Sequence, residues 1–430
     1  MRMKKVLAVA MTAALAMTSL AGCGGSGNST TTASNGTSEG GANGEVEKMT
    51  LKVWAPQEDQ VKTDKYPKGY LKALCDQFNE EHPEWDITFE YGVMSEADVA
   101  ESAMKDLEEA ADVFLYVNDQ IPKMVEAGAL AKLGGSTVEE MKAHNSESMV
   151  GSVTYNDGVY GFPFTPNTYF LFYDKSKFTE EEVKSLDTMM EKDLGDGVNN
   201  FAFDLDNSWY LPAFFYAAGG ELFGPNGDDE AAGTTFGDHP EATEYLVNLF
   251  NNKKFFLEDT GASIAKFKDG TLGAYVSGSW DAVAIQEALG DNFGVTKLPT
   301  VNLNGKDSQL YSFAGSKAVG VNPTSKHMAA SVALAAYLAG EHAQTVRFET
   351  RNITPTWDTV SNSEAVKSDV VASAQILEIN EASKTQPLVK KMSDFWSPVE
   401  ALGKSIVQKD TTLKNAKEAT TQMGEGIMKE

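Results

Sequence analysis

Three of the six tryptophans, Trp209, Trp280 and Trp396, follow loop-forming residues, and they are where this chain could do specific chemistry. Trp209 follows Asp206-Asn207-Ser208, Trp280 sits within Ser277-Gly278-Ser279-Trp280-Asp281, and Trp396 follows Ser393-Asp394-Phe395. An aromatic plane beside carboxylates and amides suits a pyranose, whose apolar C–H face stacks on the ring while its hydroxyls require fixed donors and acceptors. A hydroxyl partner left desolvated and unpaired costs about 1–3 kcal/mol, so such groups select. A tryptophan is more often a core residue, and Trp85, after a His-Pro-Glu turn, is read that way. Other chemistries lack their patterns. The five histidines, His82, His144, His239, His327 and His342, form no HExxH or similar ligand pair, so no metal site is expected. There is no GxSxG elbow, Walker loop or GxGxxG, and no cofactor is expected. The acidic loops 204–207 and 226–230 lack EF-hand spacing and read as solvated. With 62 acidic residues some will pair by chance, so a glycosidase carboxylate pair stays open as an alternative.

The elements that would position these side chains alternate. Residues 49–55 carry Leu51 and Val53 on one face and Lys52 and Trp54 on the other, a strand pattern. Helical spacing follows at Tyr70, Leu71, Leu74, Cys75 and Phe78. Residues 86–91 read as a strand, 95–110 as a helix with Ser95 and Asp98 as a capping box, and 112–117 as a strand. That order predicts a parallel sheet flanked by helices, with ligands beyond the carboxyl ends of the strands. The first strand delivers Trp54, Gln57, Glu58 and Asp59 to that edge, and the third delivers Tyr116, Asn118, Asp119 and Gln120. A second set begins at the Asn156-Asp157-Gly158 turn, with helices expected over 179–192, 209–218, 240–252, 281–289 and 326–338 and strands over 201–204 and 272–276.

A formal charge of −26, more negative once the basic leader is removed, excludes nucleic-acid binding. Residues 1–22 have Arg2, Lys4 and Lys5, an apolar run and then small residues, as a signal peptide does. The run ends in Leu20-Ala21-Gly22-Cys23, which resembles a bacterial lipobox; Cys23 is then the lipidated N-terminus, anchored at the extracytoplasmic face of the cell membrane. The only other cysteine, Cys75, is read as an unpaired core residue. From 24 to 45 there is no Val, Leu, Ile or Met and no aromatic, so residues 23–48 are expected to be a flexible linker.

The order of elements resembles the maltose/maltodextrin-binding proteins, the extracellular solute-binding proteins (family 1) of ABC sugar importers. The likeness rests on Leu51-Lys52-Val53-Trp54, Ala127-Gly128-Ala129-Leu130-Ala131, Tyr155-Asn156-Asp157-Gly158-Val159-Tyr160-Gly161-Phe162-Pro163, Leu171-Phe172-Tyr173-Asp174-Lys175, Ala217-Ala218-Gly219-Gly220, Phe267-Lys268-Asp269-Gly270, Gly278-Ser279-Trp280, Lys297-Leu298-Pro299 and Met392-Ser393-Asp394-Phe395-Trp396. It implies an α/β, two-lobed periplasmic-binding-protein-like fold of type II, with the ligand cleft between lobes joined by crossing strands. Lobe 1 would be 49–166 plus 306–350, and lobe 2 would be 167–305 plus 351–430. It implies a monomeric, non-enzymatic lipoprotein that captures maltose or malto-oligosaccharides and delivers them to ABC permease subunits; another oligosaccharide is the alternative within this class. Carried across by position, Trp209, Trp280, Trp396 and Tyr116 are the stacking aromatics, and Glu58, Asn118 and Asp119 bond hydroxyls, with Trp54, Asp59 and Asn167 as further ligand-binding candidates. Asn167 stands where members carry a cleft Glu, Gln120 where a basic residue follows the Asp, and Glu400 where some have an Arg, so chain length and linkage preference stay open.

Overall fold

The alternation of residues 47–55 becomes a strand because one face can be buried completely. Met49, Leu51, Val53 and Ala55 are buried, while Lys52 and Trp54 are half-buried. This computed structural model describes residues 46–259 and 261–429; the leader, Cys23 and most of the 23–48 linker lie outside the described residues. Within it two main sheets are built from β1 (Glu47–Ala55), β2 (Trp85–Val93), β3 (Val113–Val117), β4 (Phe162–Asn167), β5 (Tyr169–Asp174), β6 (Asn199–Phe203), β7 (Phe255–Leu257), β8 (Leu272–Gly278), β9 (Phe293–Thr296), β10 (Ser312–Val321) and β11 (Ser383–Thr385).

The first sheet runs β11-β10-β3-β1-β2, with β4 also paired to β10. β1 lies parallel to both β2 and β3, as the strand-helix alternation predicts. The helix Tyr70–Glu81 between β1 and β2 buries Tyr70, Leu71, Leu74, Cys75 and Phe78, the residues picked out by spacing. Cys75 is a buried free thiol. The second sheet runs β9-β5-β8-β6-β7. Along β5, Tyr169, Leu171 and Tyr173 join one core and Phe170 and Phe172 another, so both faces of this sheet are covered. The turn at Asn156-Asp157 is a two-residue hairpin, with both residues at positive φ (46° and 59°) as its twist requires.

Three expected helices are shorter than their sequence pattern, and the one over 209–218 is Pro212–Ala217, with the proline in its first turn. The one expected over 95–110 is Val99–Lys105, and Asp98 makes no side-chain cap. Gln120, arriving from the end of β3, accepts the Ala100 N–H (3.1 Å) and donates to the Ala97 carbonyl (2.6 Å), replacing the local capping box by a tertiary one. The helix expected over 179–192 is broken at Ser185, whose extended backbone and hydroxyl cap a separate helix, Leu186–Glu191, through Thr188 N–H (3.2 Å).

Between the sheets the chain crosses twice in extended form. Residues Phe162 and Phe164 of β4 pack in the first core, and Tyr169 at the start of β5 packs in the second. β10 makes the return: Phe313 lies in the second core, while Ala318, Val319 and Val321 lie in the first. The hairpin Thr300–Leu303 with Lys306–Gln309 places Val301 and Leu303 in the second core, so the chain stays with that core beyond residue 306.

Candidate functional site

The carboxyl ends of parallel strands deliver side chains to one edge of each sheet. At the first sheet β1 is followed by the turn Gln57–Gln60, β2 by the segment with Glu96, and β3 by Asn118-Asp119-Gln120. At the second, β6 is followed by Asp204, Asp206 and Trp209, and β8 by Trp280 and Asp281. β10 joins the two edges. Side chains two apart on a strand share a face, so Phe313, Gly315 and Lys317 form one row. β4 places Asn167 opposite Gly315 on that same face.

At one end of the row stands an aromatic group. The rings of Trp209 and Trp396 are stacked, with centroids 6.2 Å apart and an interplanar angle of 29°, and Phe313 supports them at 5.6 and 6.1 Å. Both tryptophans are half-buried and so retain open surface. Trp209 is held by Asn207, whose side chain accepts its N–H (3.0 Å) and also donates to Asp204 (3.0 Å). Trp280 is 50% exposed and folds back over Gly278, where a Cβ would fall 2.1 Å from the ring. A side chain at 278 would have to displace that ring.

Polar groups cluster mid-row. Asn118 is buried, its carbonyl oxygen accepts the Ser316 N–H (2.9 Å), and its NH2 has no protein partner. Gly315 is needed beside it, since a Cβ would approach that oxygen to 2.5 Å and the Gln386 oxygen to 3.1 Å. The Gln386 amide is buried without a hydrogen bond. Burial also pushes the Asp119 carboxyl up to about 6. Asp204 is likewise raised to about 6, first by burial and then by Asp206 and Glu258. Asp281 accepts from Ser277 (2.6 Å) and Tyr275 (3.4 Å).

Three candidates lie elsewhere. Tyr116 is fully buried in the first core, donates to the Tyr160 carbonyl (3.1 Å), and pairs with Ala318, on the face of β10 away from Lys317. Trp54 is still within β1, opposite Phe114 on that same far face, and covers Gly92. Asp59 is 1% exposed and turns inward to an ion pair with Arg351, with Arg347 at 4.0 Å. Its neighbour Glu58 is exposed on the same turn, which Gln60 pins through the Ala55 (3.1 Å) and Gly92 (3.0 Å) carbonyls. Glu400 is engaged by Lys404 one helical turn on. Asp204, Asp206 and Asp281 join the candidates through their position after strands of the second sheet, a signal that the reading of 204–207 as a solvated loop passes over. Among the described residues no group of histidine, cysteine and carboxylates could hold a metal ion, and no helix is long and apolar enough to cross a membrane.

The crossing itself is tied by Glu378, which accepts the Leu298 N–H (2.7 Å) and the Ser312 hydroxyl (2.6 Å), while Thr168 bonds Ser312 (2.7 Å). Burial raises the Glu378 carboxyl from 4.5 to about 8. The folded protein then holds this proton where the unfolded chain has released it, so stability present at low pH is lost as pH rises from about 4.5 towards 8. The expected loss from this group is about 3 kcal/mol between pH 5 and 7.5. Glu378→Gln should flatten that fall in denaturant unfolding; an unchanged slope would mean that Glu378 is ionised when folded.

Two α/β units joined by extended crossings, with an aromatic and polar row between their ligand edges, make a two-lobed binding protein. The chain matches the model of the bacterial extracellular solute-binding protein family over residues 73–374, and it belongs to that family. It is similar to a structure solved with acarbose, at 38% identity and a TM-score of 0.82, covering 88% of this chain and 98% of that one. It is also similar to the maltodextrin-binding protein MalE1 from L. casei BL23 without ligand, at 25% identity and a TM-score of 0.78, covering 89% and 100%. The galactooligosaccharide-binding protein of Bacillus subtilis (strain 168) is 26% identical over 444 residues, covering 100% of this chain and 99% of that protein.

Proposed function

We propose that this chain captures maltose and linear malto-oligosaccharides in the cleft between its lobes and presents them to the permease of an ABC importer, without turning them over. The observation that carries this reading is the Trp209–Trp396 pair on Phe313, two half-buried aromatic planes at one end of a row that also carries the Asn118 amide. The similarity to MalE1 and to the acarbose structure supports an α-linked glucan. Trp209, Trp280 and Trp396 would stack on sugar rings. Glu58, Asn118, Asp119 and Asn167 would bond hydroxyls, joined by Asp206 and Asp281. Cys23 would carry the lipid anchor, with 23–48 as tether. Lobe 1 is assigned to 49–166 with the latter half of β10 through residue 350, and lobe 2 to 167–313 with 351–430, since Phe313 belongs to the second core.

A galacto-oligosaccharide is the second reading, favoured by the whole-length match to the Bacillus protein. Thermal unfolding of residues 44–430 with a glycan panel separates them, because a ligand at 100 times its Kd adds about 2.7 kcal/mol. Malto-oligosaccharides are expected to raise the midpoint. A rise with galactosyl glycans alone would overturn the α-glucan assignment, and shorter products on chromatography after long incubation would overturn the non-enzymatic one.

A further inference from the structure

Lys317 is an unusual residue for its place. It lies within β10, where every other residue is buried, and its side chain retains 31% exposure. Its ammonium lies 3.3 Å from a Glu96 carboxylate oxygen, and Glu96 is itself only 13% exposed. The two are 221 residues apart in sequence. Glu96 is held in place from behind: the Gln120 amide grips the Ala97 carbonyl and the Ala100 N–H, and the Ser95 hydroxyl accepts the Ala97 N–H (3.3 Å). Gln120 is thus a bracket for the segment that carries the carboxylate.

Lys317 is 31% and Glu96 13% exposed, so both charged groups keep accessible surface beside their ion pair. Here the single hydrogen bond of the ammonium is to Glu96, which leaves two of its three N–H groups and most of the carboxylate lone pairs open. The pair shares the β10 face with Phe313 and Gly315 and stands four residues along from Phe313, the ring that supports the Trp209–Trp396 stack, about 13 Å at strand rise. That distance suits an oligosaccharide lying along the row better than a monosaccharide. A fixed cationic donor next to a fixed anionic acceptor complements two neighbouring hydroxyls, one accepting and one donating, and charge-assisted bonds of this kind are stronger than neutral ones.

We propose that Lys317 and Glu96 form a specificity subsite that reads a vicinal diol of the bound oligosaccharide at the end of the cleft remote from the tryptophan pair. This rests on the sugar-binding reading above. A sugar with one of the two hydroxyls inverted would leave the ammonium or the carboxylate unpaired, so the pair selects by hydroxyl orientation.

The test is titration calorimetry of residues 44–430 and its Lys317→Met, Glu96→Gln, double and Lys317→Arg variants. The ligands are maltotriose and a matched galactose-terminated trisaccharide, with unfolding midpoints recorded for each protein. Each single variant is expected to bind the better sugar about tenfold or more weakly, the double variant little worse than either, and Lys317→Arg to recover part of the loss. The affinity ratio between the two sugars should move towards one, a change that loss of a merely structural pair would not cause. An unchanged ratio, or additive losses in the double variant, would overturn the subsite even though wild-type binding holds. If wild type binds only the galactosyl sugar, the α-glucan reading fails while the losses of the single and double variants for that sugar still judge Lys317. If it binds neither sugar, both fall.

Discussion

Trp396→Ala is expected to weaken maltotriose binding at least a hundredfold, about 2.7 kcal/mol. The ring is half-buried, so part of its area is already committed to Phe313 and Trp209 and held rigid. A rigid aromatic surface binds without a large ordering cost, and aromatic anchors of this kind typically contribute about 2–4 kcal/mol on truncation. Removing it also takes away the plane beside Trp209, 6.2 Å distant, so loss of either ring should resemble loss of both. Trp280→Ala provides the contrast. That ring is 50% exposed and has no stacked aromatic partner among the described residues, so a smaller loss, about tenfold, is expected with little shift in unfolding midpoint. Calorimetry with parallel melting curves measures both. Binding by Trp396→Ala within threefold of wild type would contradict the placement of sugar on this pair.

The second large effect is on stability. Asp59→Ala should cost about 3–5 kcal/mol in urea unfolding, because it strands buried positive charge. Arg347 is wholly buried, its Nε and one terminal nitrogen have no hydrogen-bond partner, and its guanidinium lies 4.5 Å over the Phe164 ring. Its compensation is Asp59, which also pairs directly with Arg351. Asp59→Asn should recover little, since an amide cannot balance two cations. A change below about 1 kcal/mol would mean that water, not Asp59, satisfies these arginines. The same pair anchors the turn that presents Glu58, so what looks from sequence like a ligand carboxylate acts one residue away from that task.

Local patterning carried the parallel sheet, the first helix and the tryptophan loops, because each depends on residues close together in the chain. Trp209 and Trp396, singled out because they follow loop residues instead of sitting within a strand, do come together as a stacked pair, and Trp280 is exposed as its loop position implies. The placement of Trp54 and Tyr116 was not legible, because the face a strand residue occupies is set by register: Trp54 pairs with Phe114 and Tyr116 with Ala318, both away from the cleft row. Asp59 was misread because its partner Arg351 is 292 residues distant. Lys317 and Glu96 were invisible for the same reason. No spacing rule brings a lysine late in the chain to a carboxylate after the second strand; only the return of β10 beside β3 does. The shortened helix at Val99–Lys105 has the same origin, a cap supplied by Gln120 instead of its own Ser95.

The most direct test is titration calorimetry of residues 44–430 with maltotriose beside cellotriose, which differ only in glycosidic linkage. We expect saturable, one-site heat from maltotriose and none from cellotriose. Saturation by cellotriose with no heat from maltotriose would contradict an α-glucan ligand, and heat from neither would remove glucose oligomers from the cleft.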